Sequence, residues 1–403
     1  MTIGIASPFS SGCFLEYLNE SSQKECVKLS SDCAPAVTTL AKEFLRIGYR
    51  VIIFTLDAKA SKYMTLYGEN LVIHVAPSFS ANRWKRLFDP FIGRNIRLIR
   101  KLFGENSEKI DVISVHWTRD YAIASKRYIG QIPVFVTVRD IIPYILKKQR
   151  ISLRIYNWWI IYLMNEWVMR NNDYRFIANS EYTAAMIRHY WKKDVPIIPN
   201  PILDCYFSLE NHASAITDQY VLSTISMSQP NDKRKNILTL LKAFKLVRAK
   251  KQNIILNLIG QTFTKENPQI IELEKQGFLD GVVLCGSMKH DKVLDVLCET
   301  HLMVHPSHEE TFGNTLIEAM AVGCPILGGI NSGAVPYVLN HGEAGYLCDV
   351  SQAEELANSI LKIIDNPALA FEKAKKAKIY CRKKFSSEKI AEEYIQQFRN
   401  SIK

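Results

Sequence analysis

Leu302-Met303-Val304-His305-Pro306-Ser307-His308-Glu309-Glu310-Thr311-Phe312-Gly313-Asn314-Thr315-Leu316-Ile317-Glu318-Ala319-Met320 changes character twice along its length. Leu302 to Val304 is a short apolar run and His305 to Glu309 a polar loop. From Asn314 the apolar positions Leu316, Ile317, Ala319 and Met320 fall at helical spacing. The stretch therefore predicts strand, loop and helix in that order. The N–H groups of Phe312, Gly313, Asn314 and Thr315 at the helix start would face an anion along the helix dipole, and Gly313 would let a ligand approach the backbone. Glu310 can accept hydrogen bonds from sugar hydroxyls, and Glu318, about two turns further along the same face, can hold a vicinal diol such as a ribose. Two carboxylates for two sugars, with amides for the diphosphate between them, is chemistry suited to a sugar nucleotide. The competing view is that Glu309, Glu310 and Glu318 are ordinary acids complementing a helix dipole.

Context weakens that competing view. The run continues through Gly323-Cys324-Pro325-Ile326-Leu327-Gly328-Gly329 to Asn331-Ser332-Gly333-Ala334-Val335-Pro336, a second strand and a glycine-rich turn beside the first site. Outward from there, strand-like runs at 220–226, 254–259, 282–285, 302–304 and 325–327 alternate with helical stretches such as 237–250. An earlier series at 2–6, 51–54, 71–75, 112–115, 134–138 and 175–178 does the same. The fold class expected is α/β, as two Rossmann-like, doubly wound parallel-sheet domains facing a central cleft. The expected division is 1–205, 206–380 and a closing helix at 381–403 that returns to the first domain, with the boundary in the polar stretch after Pro199-Asn200-Pro201. Ligands of such sheets sit at the carboxyl ends of strands. Gly260, Ser287 and Met288, each at or just past a strand end, join Glu318 and the 312–315 amides as candidate nucleotide contacts.

These residues carry a resemblance. Pro306-Ser307, the Glu310 to Glu318 spacing with Phe312-Gly313 inside it, Glu318-Ala319-Met320-Ala321 and Gly323-Cys324-Pro325 are similar to the donor motif of the nucleotide-sugar glycosyltransferases of the GT-B fold, family 4, group 1. The likeness extends to Gly342, Gly345-Tyr346-Leu347 and Lys383-Lys384-Phe385-Ser386. In the first half it takes in Asp111 to Trp117, Ile177 to Thr183 and Ile198-Pro199-Asn200-Pro201. It implies a retaining hexosyltransferase that moves a sugar from a nucleoside diphosphate, UDP or GDP, to a hydroxyl of a glycan or lipid-linked acceptor. The setting implied is cell-surface polysaccharide or lipopolysaccharide synthesis. No metal and no cofactor beyond the donor are expected. The loop Asp232-Lys233-Arg234-Lys235-Asn236 would otherwise read as a solvated basic turn; the resemblance makes Lys235, with Arg234, the clamp on the departing diphosphate.

Departures matter for the mechanism. Where many relatives have a glycine-rich loop after the first strand, this chain has Ser10-Ser11-Gly12, a polar insertion and then Ser31-Asp32-Cys33. Arg139 stands where relatives carry a histidine; an arginine cannot act as a base, but it can stabilise a leaving group or hold an acceptor. His116 is the other candidate, either lining the cleft or serving as a strand-end core residue. Tyr337 stands where relatives often place a glutamate, so sugar identity does not carry over.

At 403 residues and 47% hydrophobic the chain is long enough for two globular domains, and disorder is not expected. Trp158 to Met164, the longest central apolar run, is far shorter than the ~20 residues that span a bilayer. The start, Met1 to Ala6, reads as a strand rather than a signal peptide, and nine cysteines without a Cys-x-x-Cys pair read as reduced thiols, so a cytoplasmic site is expected. The net charge of +11 exceeds what one diphosphate requires. Basic and aromatic residues gather at 82–101 and 147–167, and peripheral contact with an anionic membrane is the expected partner, through Trp84, Leu87, Phe88, Phe91, Leu98 and Leu102 more than through the second stretch. No nucleic-acid motif is present. The alternatives to a transferase are a degenerate subunit that binds a nucleotide sugar without turnover, and a GT-B epimerase or phosphorylase.

Overall fold

The computed structural model describes residues 1–29, 34–78, 91–148, 155–215 and 219–402. Two compact units emerge: Met1–Pro201 with Ser387–Lys403, and Ile202–Ser386.

Unit 1 holds β1 (Thr2–Ala6), β2 (Arg50–Asp57), β3 (Met64–Tyr67), β4 (Leu71–Pro77), β5 (Val112–His116), β6 (Val134–Val138) and β7 (Arg175–Ala178) in the order β3-β4-β2-β1-β5-β6-β7. Ile3, Ile5, Ile52, Ile53, Val112 and Ile113 are fully buried on both faces. This is why these strands read as continuous apolar runs, the mark of a parallel sheet covered by helices. β3 departs from the all-parallel expectation, pairing antiparallel with β4 at the edge with Met64 opposite Val75. The polar insertion after β1 is folded: Ser11–Tyr17 forms a 3-10 turn that buries Phe14, and Asn19 caps the helix Glu20–Cys26 by accepting from the Ser22 amide. Ser31, Asp32 and Cys33 lie outside the described residues.

Unit 2 holds β8 (Tyr220–Ile225), β9 (Ile254–Ile259), β10 (Val282–Gly286), β11 (Leu302–His305), β12 (Ile326–Gly329) and β13 (Tyr346–Cys348), all parallel, in the order β10-β9-β8-β11-β12-β13. The chain winds from β8 outward to β10, then returns beside β8 as β11 and winds the other way. The strand order therefore reverses between β8 and β11, and the loops leaving those two strands diverge to leave a crevice at their carboxyl ends. β13 was not anticipated; three residues are too short to show a period.

The unit boundaries fall at Pro201/Ile202 and Ser386/Ser387 rather than at 205/206 and 380/381. The helix Pro367–Phe385 runs unbroken through 381, with Cys381 and Phe385 buried in unit 2, and the chain leaves it only at the extended Ser386. The following helix, Ser387–Ser401, belongs to unit 1. Its Phe398 ring lies 4.9 Å from Phe135 and 6.1 Å from Phe44, its Tyr394 hydroxyl is 2.9 Å from Thr137 Oγ1, and Ser387 Oγ donates to Glu43 Oε2.

The helix Phe91–Glu105 corrects part of the membrane expectation. Ile99, Leu102 and Phe103 are buried against β2 and β4, and Leu98 packs on the same cluster, so Leu102 belongs to the core rather than to an exposed apolar face. Trp84, Leu87 and Phe88 lie outside the described residues.

Because the closing helix supplies unit 1 with fully buried aromatic side chains, Phe398→Ala is expected to cost about 3–5 kcal/mol in that unit. Thermal unfolding followed by circular dichroism checks this: an earlier transition is expected, and an unchanged one would show that the helix is dispensable.

Candidate active site

Two loops meet where the strand order of unit 2 reverses. The first leaves β8 and enters the helix Ile237–Lys250; the second leaves β11 and enters the helix Asn314–Val322. Three contacts join them. The His308 amide donates to the Arg234 carbonyl at 2.8 Å. Asn236 Nδ2 donates to the Pro306 carbonyl at 3.1 Å and to the Val350 carbonyl at 2.8 Å. Lys235 Nζ donates to Glu310 Oε1 at 2.5 Å.

Asn236 shows how local sequence misleads. An Asn just before a helix reads as an N-cap. Here it adopts φ +56°, makes no side-chain cap and is buried, spending its amide on two other segments. That left-handed turn directs Lys235 toward Glu310.

Glu310 is held from its backbone as well. Its carbonyl accepts from the Ala334 amide at 2.8 Å, and it pairs with Gly333 as an isolated parallel bridge. Gly333 has φ +63°, and a Cβ there would lie 2.4 Å from the Glu310 carbonyl oxygen, so only glycine fits. The glycine-rich turn after β12 thus fixes the height of the carboxylate. His305, expected in the loop, is instead the last residue of β11, and its Nε2 lies 3.2 Å from Glu310 Oε1. That is ion-pair distance without hydrogen-bond alignment. Burial pushes the Glu310 carboxyl up, but Lys235 and His305 outweigh it, and the net result lies well below the usual carboxylate range. Glu310 is an ionised acceptor.

Glu318, one of the buried residues of the helix Asn314–Val322, has the opposite balance. Burial pushes its pKa up, and His290, with Nε2 3.7 Å from Glu318 Oε1, only partly offsets that. The His290 ring in turn lies 5.6 Å from that of Tyr206. Gly313 caps the same helix at φ +94°, where a Cβ would meet Leu316 Cδ1 at 2.9 Å. The helix begins at Asn314, and the Leu316 amide is taken by the Gly313 carbonyl, so Asn314 and Thr315 are its leading amides. The Phe312 ring is a core residue packed edge-on against Phe385 at 5.6 Å.

The other expected donor-side residues occupy neighbouring strand ends. Gly260 follows β9, and its amide donates to the Gly286 carbonyl at 2.8 Å. Ser287 and Met288 follow β10. Arg234 is exposed, and among the described residues its guanidinium makes no ion pair; its amide donates to Asp232 Oδ1.

Arg139 and His116 belong to unit 1, at the ends of β6 and β5. Arg139 Nη2 is 3.1 Å and Nε 3.3 Å from His116 Nδ1, and Nη1 donates to Asn200 Oδ1. A guanidinium has no acceptor, so His116 Nδ1 accepts and the ring proton sits on Nε2. Burial first, then Arg139, holds the His116 pKa well below its usual value. The ring is fully enclosed and its one lone pair is occupied, so His116 is not poised as a general base and does not line an open surface. Trp117, next in the chain, takes φ +70°, with its ring 5.7 Å from the Arg139 guanidinium carbon. Such a conformation in a bulky residue is held only by its surroundings.

Sequence reasoning missed His305, Asn236 and the bridging role of Gly333. His305 had a signal in its place at the end of the strand beside the reversal point. The hydrogen bonds of Asn236 are tertiary and have no local signature.

Comparison with known proteins agrees with this architecture. Residues 35–203 match the model of Glycosyltransferase Family 4, and residues 224–384 that of Glycosyl transferases group 1. The chain is 35% identical over 115 residues to the N-acetyl-alpha-D-glucosaminyl L-malate synthase of Bacillus anthracis, covering 28% of this chain and 29% of that protein. It is 26% identical to the capsular polysaccharide biosynthesis glycosyltransferase CapM of Staphylococcus aureus, covering 68% of this chain and 74% of that one. The first match thus spans well under two thirds of its relative. Among solved structures, sucrose-phosphate synthase of Thermosynechococcus elongatus superposes with a TM-score of 0.78 at 19% identity, over 99% of this chain and 98% of that one. With one family model on each half and two Rossmann-like units beneath them, the chain belongs to the GT-B glycosyltransferases of family 4, group 1.

Proposed function

We propose that the chain transfers a hexosyl group, with retention of configuration, from a nucleoside-diphosphate sugar to a hydroxyl of a glycan or lipid-linked acceptor during cell-surface polysaccharide synthesis. The observation that carries this is the Lys235–Glu310 contact at the point where the strand order of unit 2 reverses. In the resting site each group is the other's partner. A donor would replace both halves of the pair: its diphosphate takes Lys235, and a sugar hydroxyl takes the freed Glu310 oxygen. Arg234, exposed on the same loop, and the leading amides of the helix capped by Gly313 add positive potential where the diphosphate would lie.

In this mechanism the bond from the anomeric carbon to the diphosphate oxygen breaks, and its electron pair passes to the diphosphate. Lys235, Arg234 and the helix amides stabilise that developing charge, so neither a metal nor a further cofactor is invoked. The acceptor hydroxyl attacks the face the diphosphate leaves, and its proton passes to the departing phosphate oxygen. Glu318 holds the ribose diol, with His290 beside it. Arg139, which cannot be a base, holds His116 and Asn200 at the strand ends of unit 1, where an acceptor would be positioned. UDP or GDP is the proposed carrier, and the inner face of the plasma membrane the proposed location, in keeping with the capsular role named for CapM. The departure at Arg139 favours a second reading, a nucleotide-sugar-binding subunit without turnover. A GT-B epimerase or phosphorylase would differ in its product.

The division of labour gives two expected outcomes. In a thermal-shift panel of UDP, GDP, ADP and TDP with their sugar conjugates, a ligand at 100 times its Kd should stabilise the wild type by about 2.7 kcal/mol. Glu318→Ala should weaken the response to free nucleotide, while Glu310→Ala should spare it and lose sugar transfer. Equal nucleotide affinity in wild type and Glu318→Ala would contradict the ribose assignment, and binding without turnover in the wild type would favour the subunit reading. The second outcome concerns pH. The folded pKa of Glu310 lies below its ordinary value of 4.5, so its contribution to stability is complete above that pH and is lost as pH falls through the folded value. Lys235→Met removes the first-ranked group that lowers it and leaves only His305 to oppose the upward push of burial. The acid limb of the melting-temperature profile should then move to higher pH, and an unmoved limb would show that the pair is not coupled.

A further inference from the structure

The helix Ile155–Arg170 of unit 1 is apolar on every side, interrupted only by Asn157, Asn165, Glu166 and Arg170. A helix of that composition is normally enclosed by protein or lipid. One face is: Asn165, Val168 and Met169 are fully buried. The opposite face presents Trp159, Leu163 and Trp167 at successive four-residue steps, 49%, 62% and 39% exposed. These three therefore form one stripe along the helix. Its polar surroundings are cationic. Lys126, from a separate segment, sits with Nζ 5.1 Å from the Trp167 ring centre. Lys147, on the helix Ile142–Lys148 that packs against this one, is exposed as well. Glu166, the single acid of the helix, is taken up by Arg170 and by the Trp191 indole, each at 2.9 Å.

We infer that this face of the helix Ile155–Arg170 docks onto an anionic lipid bilayer, with Trp159, Leu163 and Trp167 entering the zone between headgroups and acyl chains and Lys126 and Lys147 meeting the headgroups. The charge complementarity selects this occupant. An apolar protein partner, including a second copy of the chain, has no use for a cationic surround, whereas tryptophan beside lysine suits a surface that is apolar below and anionic above. The stripe differs from the one the sequence favoured, because Leu102 is in the core while this row is exposed. The inference does not depend on the donor assignment, and it gives the proposed lipid-linked or surface-glycan acceptor a place to be met.

The test is co-sedimentation of the full chain with vesicles of phosphatidylglycerol and phosphatidylcholine, alongside phosphatidylcholine alone, with tryptophan emission recorded in parallel. The wild type should bind the anionic vesicles with a blue shift and release at high salt. Trp159→Gln/Leu163→Gln/Trp167→Gln should lower the partition coefficient roughly tenfold or more, while Leu369→Gln/Ile379→Gln, at exposed apolar sites in unit 2, should not. An unchanged circular dichroism spectrum and nucleotide thermal shift in the triple variant would show that its fold and donor site are intact. The proposal is overturned if the wild type ignores anionic vesicles, if the triple variant binds them as well as the wild type does, or if the stripe mediates a solution dimer that the triple variant abolishes.

Discussion

The pairing of Lys235 with Glu310 is the interaction on which the arrangement of the unit 2 loops turns. It exists because β8 and β11 are neighbours although 75 residues separate the two side chains along the chain. It persists because the surrounding loops are fixed independently: Asn236 reaches Pro306 and Val350, His308 reaches Arg234, and Ala334 reaches Glu310. A partly buried cation and carboxylate held this way are preorganised, so the proposed exchange of one for a ligand's phosphate and the other for a hydroxyl would need little rearrangement of the backbone.

Glu310 and Glu318 are two glutamates of one segment with opposed electrostatics. Glu310 sits between a lysine and a histidine and is kept ionised; Glu318 is buried with only a half-exposed histidine at a distance. Their spacing alone does not separate their chemistry. What surrounds them does, and those surroundings come from the loop after β8, the end of β11 and the helix His290–Cys298.

The strand-loop-helix reading of 302–320 was legible because the hydrophobic period changes inside the stretch, and both sheets were legible because their central strands, covered on both faces, read as apolar runs. β3 was missed because an edge strand with one wet face carries little apolar signal. Asn236 was missed because its partners lie far along the chain. The network of Arg139, His116 and Asn200 was legible only as a substitution at a family position; that the ring is enclosed and its lone pair occupied emerges only from packing. The row of Trp159, Leu163 and Trp167 was visible as composition, but whether it faced sheet or solvent is a tertiary property.

Hydrogen exchange of the full chain, with and without the nucleoside diphosphate that stabilises it most, tests the central claim most directly. Protection gained at the amides of 313–315 and around 233–236 is the result expected if the diphosphate takes over the Lys235 side of the pair and the helix start. Protection confined to other segments, with those amides unchanged under a saturating ligand, would contradict it.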